Sequence, residues 1–244
     1  MNINKLNIIH TTEWHGYQRH DFIFDGYSAF LVEPKEAAVD GRWSWCTVWP
    51  EAFVPRVGIT ALLALGYHHV HIDVFATRAN PTGVTVMHRF HDYLVSLGLA
   101  PKANLIGMSW GGFFSLRYAE TYPQDVAAIY LDAPVCDAAD PSQAAEDRTS
   151  SISKIWQMNT NEIRSSLLNP INNVTPIVDA KIPIYAATGE DDQVVSVWHN
   201  FNILEQKLLA AGAKPVVVRR EAWGHHPHGF DDVTDIVRFH QAVH

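Results

Sequence analysis

Ala103-Asn104-Leu105-Ile106-Gly107-Met108-Ser109-Trp110-Gly111-Gly112-Phe113-Phe114-Ser115-Leu116 decides how the rest of the chain is read. Residues 103–106 form a short apolar run of the kind that makes a buried strand, and 112–120 continue as a helical pattern. Between them Gly107-Met108-Ser109-Trp110-Gly111 has the Gly-x-Ser-x-Gly spacing of a nucleophile elbow, the sharp strand-to-helix turn that lifts a serine hydroxyl above the end of a sheet. The turn is strained, and the spacing predicts no room for side chains at 107 and 111. The five-residue pattern alone arises by chance about 0.1 times in a chain of this length. The strand before it and the helix after it give it weight.

Outward from this turn, strands and helices alternate. Upstream, 54–65 has helical periodicity stopped by Gly66, 69–74 reads as a strand, 75–83 as a loop, and 84–97 as a helix closed by Gly98. Downstream, 126–131 and 182–187 are buried strands, 196–211 is a helix closed by Gly212, 215–219 is the last strand and 233–243 the last helix. Such alternation implies parallel pairing through right-handed crossovers. The predicted fold class is therefore α/β, a mostly parallel twisted sheet with helices on both faces. The first forty residues differ, with short runs at 6–10, 22–24 and 28–32 separated by Gly and Asp turns, and read as an antiparallel lead-in. A polar stretch, 137–173, carries the turn signals Asp140-Pro141-Ser142 and Asn169-Pro170 around a helical core at 152–168. Inserted there, it would lie over the C-terminal ends of the strands, where open α/β sheets bind ligands. The expectation is one domain, 1–244, with a small cap at 137–173.

Of 244 residues, 47% are hydrophobic and 18% charged, enough apolar material for a substantial core. The formal net charge of −8 argues against nucleic acid and anionic membrane as partners, since both reward clustered Lys and Arg. No apolar run is long enough to span a bilayer, and Met1-Asn2-Ile3-Asn4-Lys5-Leu6 lacks the features of a signal peptide. Cys46 and Cys136 make no disulfide framework and read as reduced thiols of a cytoplasmic protein.

A serine hydroxyl needs a base to take its proton, and the base needs a third group to hold it. After an elbow the acid and then the histidine follow in chain order on later loops. Behind the strand at 182 comes Gly189-Glu190-Asp191-Asp192, from which Asp192 is chosen as the acid because Val194-Val195 can anchor its loop. Asp191, Glu190 and Asp132 are its rivals. Behind the strand at 215 comes Gly224-His225-His226-Pro227-His228-Gly229, from which His225 is chosen as the base over His226 and His228. A metal reading of this cluster, pairing His225 with His228, is set aside. Pro227 breaks helical register, no Cys or carboxylate completes the set at fixed spacing, and 14 histidines make local clusters unsurprising. No cofactor is expected. The oxyanion donors are expected to be the backbone N–H of Trp110 and one near Cys46, in the segment Trp43-Ser44-Trp45-Cys46-Thr47-Val48-Trp49. Tryptophans concentrate in these loops, and Trp45, Trp49 and Trp223 are predicted to wall a substrate pocket suited to flat apolar faces, including sugar rings and aryl groups.

Those motifs resemble the α/β-hydrolase superfamily over nearly the whole chain. The chain is most similar to a group of bacterial esterase-like serine hydrolases with a tryptophan-rich third strand, the run Leu131-Asp132-Ala133-Pro134-Val135-Cys136-Asp137, and a terminal Gly-His-His-Pro-His-Gly. It lacks the His-Gly-Gly oxyanion motif of lipases and many esterases. The resemblance implies an activity class, serine hydrolase, and the leading expectation within it is cleavage of a small-molecule carboxylic ester through an acyl-enzyme. A polar lid disfavours a true lipase, and Ser109 in place of a carboxylate disfavours a dehalogenase or epoxide hydrolase. A small peptidase or amidase and a catalytically inactive binding protein of the same fold are the other readings.

Overall fold

The structure is a computed structural model and describes residues 1–243. β1 (Ile8–Trp14), β2 (Tyr17–Phe24) and β3 (Tyr27–Glu33) form an antiparallel meander. Its two-residue turns are His15-Gly16 and Asp25-Gly26, all four with positive φ, which matches the right-handed twist of a hairpin. β4 (Trp43–Cys46) and β5 (His68–Ile72) follow; β5 pairs antiparallel with β3 and parallel with β4. β6 (Ala103–Met108), β7 (Val126–Asp132), β8 (Ile184–Gly189) and β9 (Val216–Arg220) extend the sheet in parallel. The described residues thus build one nine-stranded sheet in the order β1-β2-β3-β5-β4-β6-β7-β8-β9.

The helices are α1 (Ile59–Ala64), α2 (Pro81–Ser96), α3 (Trp110–Thr121), α4 (Glu146–Trp156), α5 (Thr160–Ser165), α6 (Thr175–Asp179), α7 (Phe201–Ala210) and α8 (Thr234–Gln241). Side chains alternate along each strand between two cores. Leu31, Trp43, Trp45, Leu105, Ile129, Leu131 and Ala186 meet the apolar faces of α2, α3, α6 and α7. Phe30, Val32, Cys46, Ile106, Met108, Tyr130 and Tyr185 meet α1 and α8 on the other side. The period of two in the strands is what puts helices on both faces.

Three helices depart from the expected spans by five residues or more. Val54 and Val57 are buried as their periodicity predicts, but the chain becomes helical only at Ile59, after Gly58 takes a left-handed conformation (φ 81°). The helix expected at 152–168 is two: α4 ends at Gln157 (φ 56°), and α5 restarts with a capping box between Asn159 and Glu162. The helix expected from 196 begins at Phe201, because the Asn200 side chain accepts the N–H groups of Cys136 and Asp137 and donates to Asp140 at 2.8 Å. Asn169 repeats this bracing, accepting from Ala138 N–H and donating to Asp137 at 2.7 Å. Buried amides therefore fasten the polar stretch 137–173 to the ends of β7 and α7. No helix among the described residues is long and apolar enough to cross a membrane.

Candidate active site

β6 delivers Ser109 at its C-terminal end, and α3 leaves directly afterwards. Ser109 has φ 51° and ψ −117°, a strained combination for a residue with a side chain. Its backbone is held on both sides: the N–H donates to Asp132 O at 2.9 Å, and the carbonyl accepts from Val135 N–H at 2.9 Å and Gly112 N–H at 3.0 Å. A Cβ on Gly107 would sit 2.7 Å from Gly111 O, so position 107 has no room, as the spacing predicts. Position 111 differs. Its nearest neighbour would be the Thr47 hydroxyl at 3.3 Å, whereas a Cβ on Gly112 would meet Pro134 Cβ at 2.4 Å. The tightest approach of the α3 N-terminus thus falls one residue later, where the helix crosses the loop after β7.

Loops after β8 and β9 bring two side chains to this hydroxyl. Ser109 Oγ donates to His225 Nε2 at 3.1 Å, and His225 Nδ1 donates to Asp192 Oδ2 at 2.7 Å. Asp192 Oδ1 accepts the N–H groups of Val194 and Val195, each at 2.8 Å, so the Val-Val segment anchors the loop through backbone donors. Burial works to raise the Asp192 pKa, but the His225 imidazole and those two N–H groups outweigh it and hold the carboxyl below its ordinary range. Asp191 and Glu190 are exposed and their carboxylates are not part of this arrangement. Gly189 allows the two loops to meet, because a Cβ there would lie 2.3 Å from Trp223 O.

Asp132, the remaining rival, has a histidine of its own. His228 Nδ1 donates to Asp132 Oδ1 at 2.8 Å. Arg220 donates to the same oxygen at 3.0 Å, and Tyr130 OH and Gly229 N–H donate to Oδ2 at 2.7 and 2.9 Å. Burial again works upward, and His228, Arg220 and Tyr130 together hold the Asp132 pKa below its ordinary value of 3.8. His228 Nε2 carries no hydrogen bond among the described residues. Phe53 stacks on His226 and meets His228 edge-on, with centroids 5.6 and 5.3 Å away. Burial, followed by the neighbouring imidazoles, lowers the pKa of His226.

Ser109 opens onto a cavity of about 440 Å³. Its walls are Trp49, Ala52, Phe53, Trp110 and Val194, its polar groups Arg148 of α4 and the imidazoles of His225, His226 and His228. Behind the wall, Phe75 joins Trp49 to Trp110. Of the predicted pocket residues, only Trp49 lines this cavity. Trp45 is fully buried on the α2–α3 side of the sheet against Trp43, Phe90 and Tyr118. Trp223 turns its indole to Pro227 O at 3.0 Å and lies against Arg220.

Cys46 is not at the cavity either. It lies inside β4 in register with Ile106, its Sγ donates to Val48 O at 3.1 Å, and burial pushes its thiol up to about 12. The chain reaches the cavity three residues later, at Trp49, which is 43% exposed and has φ 63°. Trp49 N–H has no acceptor among the described residues. Trp110 is the first residue of α3, so its N–H has no partner within the helix. Thr47 ties the two segments together, its hydroxyl donating to Gly111 O at 2.8 Å. Phe53 and Arg148 were not singled out in the sequence, and no local pattern marks either.

Residues 75–171 match the family model described as the alpha/beta hydrolase fold. Solved structures agree along nearly the whole chain. A protein assigned as a dipeptidyl aminopeptidase IV from Bacteroides ovatus superposes with a TM-score of 0.70 at 15% identity, over 93% of this chain and 36% of that one. An acylaminoacyl peptidase from Pyrococcus horikoshii gives 0.65 at 12% identity, over 91% and 38%. An S-formylglutathione hydrolase from Agrobacterium tumefaciens gives 0.64 at 12% identity, over 97% and 96%. The chain therefore spans little more than a third of the two peptidases and nearly all of the S-formylglutathione hydrolase. No curated protein matches its sequence. By sheet order, elbow and the match over residues 75–171, the chain has the α/β-hydrolase fold.

Proposed function

We infer that the protein is a serine hydrolase that cleaves a small carboxylic ester through an acyl-enzyme. The observation that carries this reading is the unbroken chain from Asp192 through His225 to Ser109, at 2.7 and 3.1 Å. Ser109 Oγ attacks the ester carbonyl as its proton passes to His225 Nε2, and Asp192 holds the imidazole and steadies its positive charge. His225 then gives the proton to the leaving alcohol. In the second half it takes a proton from water, which attacks the acyl carbonyl, and returns that proton to Ser109 Oγ as the carboxylic acid leaves. Trp110 N–H is the first oxyanion donor, and Trp49 N–H replaces Cys46 as the second.

Cavity size and lining support a small substrate with an aromatic-friendly face. About 440 Å³ suits a compact ester. Trp49 and Trp110 offer flat apolar surface, while Arg148 and the imidazoles offer donors to substrate oxygens, a combination that fits an acetylated carbohydrate or an aryl ester. The likeness to two peptidases favours a second reading, a small peptidase or amidase.

Labelling by a fluorophosphonate probe tests the active serine: the wild type labels and Ser109→Ala does not. An unlabelled, well-folded wild type would leave the inactive binding-protein reading standing. Parallel assays with p-nitrophenyl acetate and an acyl p-nitroanilide separate ester from amide cleavage, and faster release from the anilide would displace the ester reading.

A further inference from the structure

Three imidazoles from four consecutive positions meet at the mouth of the cavity. The ring centroids of His225, His226 and His228 form a nearly equilateral triangle, with sides of 4.8, 4.9 and 4.9 Å and interplanar angles of 67°, 79° and 85°. One ligand nitrogen from each lies within 4.8 Å of the other two. Around a tetrahedral zinc ion, with bonds near 2.0–2.1 Å, imidazole centroids stand about 5 Å apart and donor nitrogens about 3.4 Å apart. The triangle of rings already has this size. Rotation of the rings brings the nitrogens in, and His226 is able to turn, being exposed and without a side-chain hydrogen bond among the described residues.

Two of the three rings are also oriented as metal-binding histidines are. His225 and His228 each donate Nδ1–H to a buried carboxylate, Asp192 at 2.7 Å and Asp132 at 2.8 Å. That leaves an Nε2 lone pair on each, the arrangement in which a carboxylate backs a zinc-bound imidazole. The loop is braced before any ion arrives. Arg56 donates to His228 O at 2.9 Å, and a Cβ on Gly229 would come 2.1 Å from Arg56 O. An all-imidazole set selects zinc, copper or nickel over magnesium or calcium. A second cluster, His88, His91 and Asp125, differs because its groups are already engaged: His88 Nδ1 with Asp125 at 2.8 Å, and His91 Nε2 with Pro101 O at 2.9 Å.

We propose that His225, His226 and His228 form a binding site for a divalent transition-metal ion such as Zn²⁺, and that the bound ion silences the enzyme by withdrawing the His225 Nε2 lone pair from Ser109. The binding half rests on this geometry alone. The silencing half rests on the hydrolase reading above.

Zinc chloride titrated into the full-length protein against a chromogenic chelator tests the binding half. The wild type should take up one equivalent, and His226→Ala, a change at an exposed side chain, should weaken binding at least about tenfold. His88→Asn should bind as the wild type does. No saturable uptake by the wild type, undiminished uptake by His226→Ala, or loss of uptake in His88→Asn would each overturn the site. For the silencing half, zinc should block p-nitrophenyl acetate hydrolysis reversibly, with EDTA restoring it. His226→Ala should need at least about tenfold more zinc for the same fractional loss, measured against its own zinc-free rate. An unchanged rate at zinc concentrations that fill the site would overturn silencing. A wild type that hydrolyses no ester but binds zinc would defeat the hydrolase reading and leave the metal site in place.

Discussion

Two aspartate–histidine pairs flank one cavity, and only one of them ends on a hydroxyl. Asp192–His225 and Asp132–His228 have almost the same separation, 2.7 and 2.8 Å, and both carboxylates are buried. Their remaining partners differ. Among the described residues Asp192 accepts, besides the imidazole, two neutral backbone N–H groups, and the Arg148 guanidinium acts on it without a hydrogen bond. Asp132 also faces the Arg220 guanidinium at 3.0 Å and the Tyr130 hydroxyl. The closest charged partner of Asp192 is thus His225, whereas Asp132 is directly paired with a guanidinium. A histidine beside a carboxylate is therefore not sufficient for a base. What the carboxylate has left to stabilise, and what stands at the opposite ring nitrogen, decide the role.

Substitutions in the two pairs should give opposite signatures. His225→Ala should lower kcat by on the order of 10⁴–10⁶, while His228→Ala should retain turnover. Equal losses in a p-nitrophenyl acetate assay would erase the distinction. Asp192→Asn should cost on the order of 10⁴ in kcat, because the imidazole loses the partner that fixes its tautomer. Asp132→Asn should instead act on the fold, costing about 3–5 kcal/mol in a urea titration, because Arg220 is left buried without its counter-charge. A urea midpoint unchanged from the wild type would remove Asp132 from the structural role given to it here.

The pairs also predict an acid response. Both carboxyls have pKa values below the ordinary 3.8 in the folded protein. The stability they contribute is complete above that value and is lost as pH falls below it, through the lower folded values, since the unfolded chain takes up protons first. Asp132→Asn should therefore show a shallower loss of stability than the wild type below about pH 4; parallel curves would contradict the assignment. The smallest effect belongs to Tyr130→Phe, which removes one of the bonds to Asp132 and should cost about 1 kcal/mol with kcat unchanged.

How much of this could be read before the fold was known depends on how local each signal is. The alternating strands and helices from α1 onward, and the elbow, are local patterns, and the structure has them. The loops after β8 and β9 were readable from chain order, and the structure brings Asp192 and His225 to Ser109. Of the lead-in runs, those at 22–24 and 28–32 fall inside β2 and β3, and only the one at 6–10 is shifted, because β1 is an exposed edge: six of its seven residues face solvent, so no apolar alternation marks its limits. Within the expected segment 43–49, Cys46 lies inside β4 and the chain reaches the cavity only at Trp49, in a left-handed conformation that a tryptophan does not advertise. Trp45 was misassigned although the strand period held the answer, since it shares a face with fully buried Trp43. Arg148 reaches the cavity from α4 through tertiary packing that no short window of sequence contains.

Asp132 holds both sides of the proposed reaction at once. Its carbonyl anchors Ser109 N–H at 2.9 Å, and its side chain anchors His228 and Gly229, three and four residues beyond His225. Thermal displacement of the end of β7 therefore carries the attacking oxygen and the proton acceptor together, as two tools clamped to one bench, and their separation is insulated from motions that distort the rest of the rim.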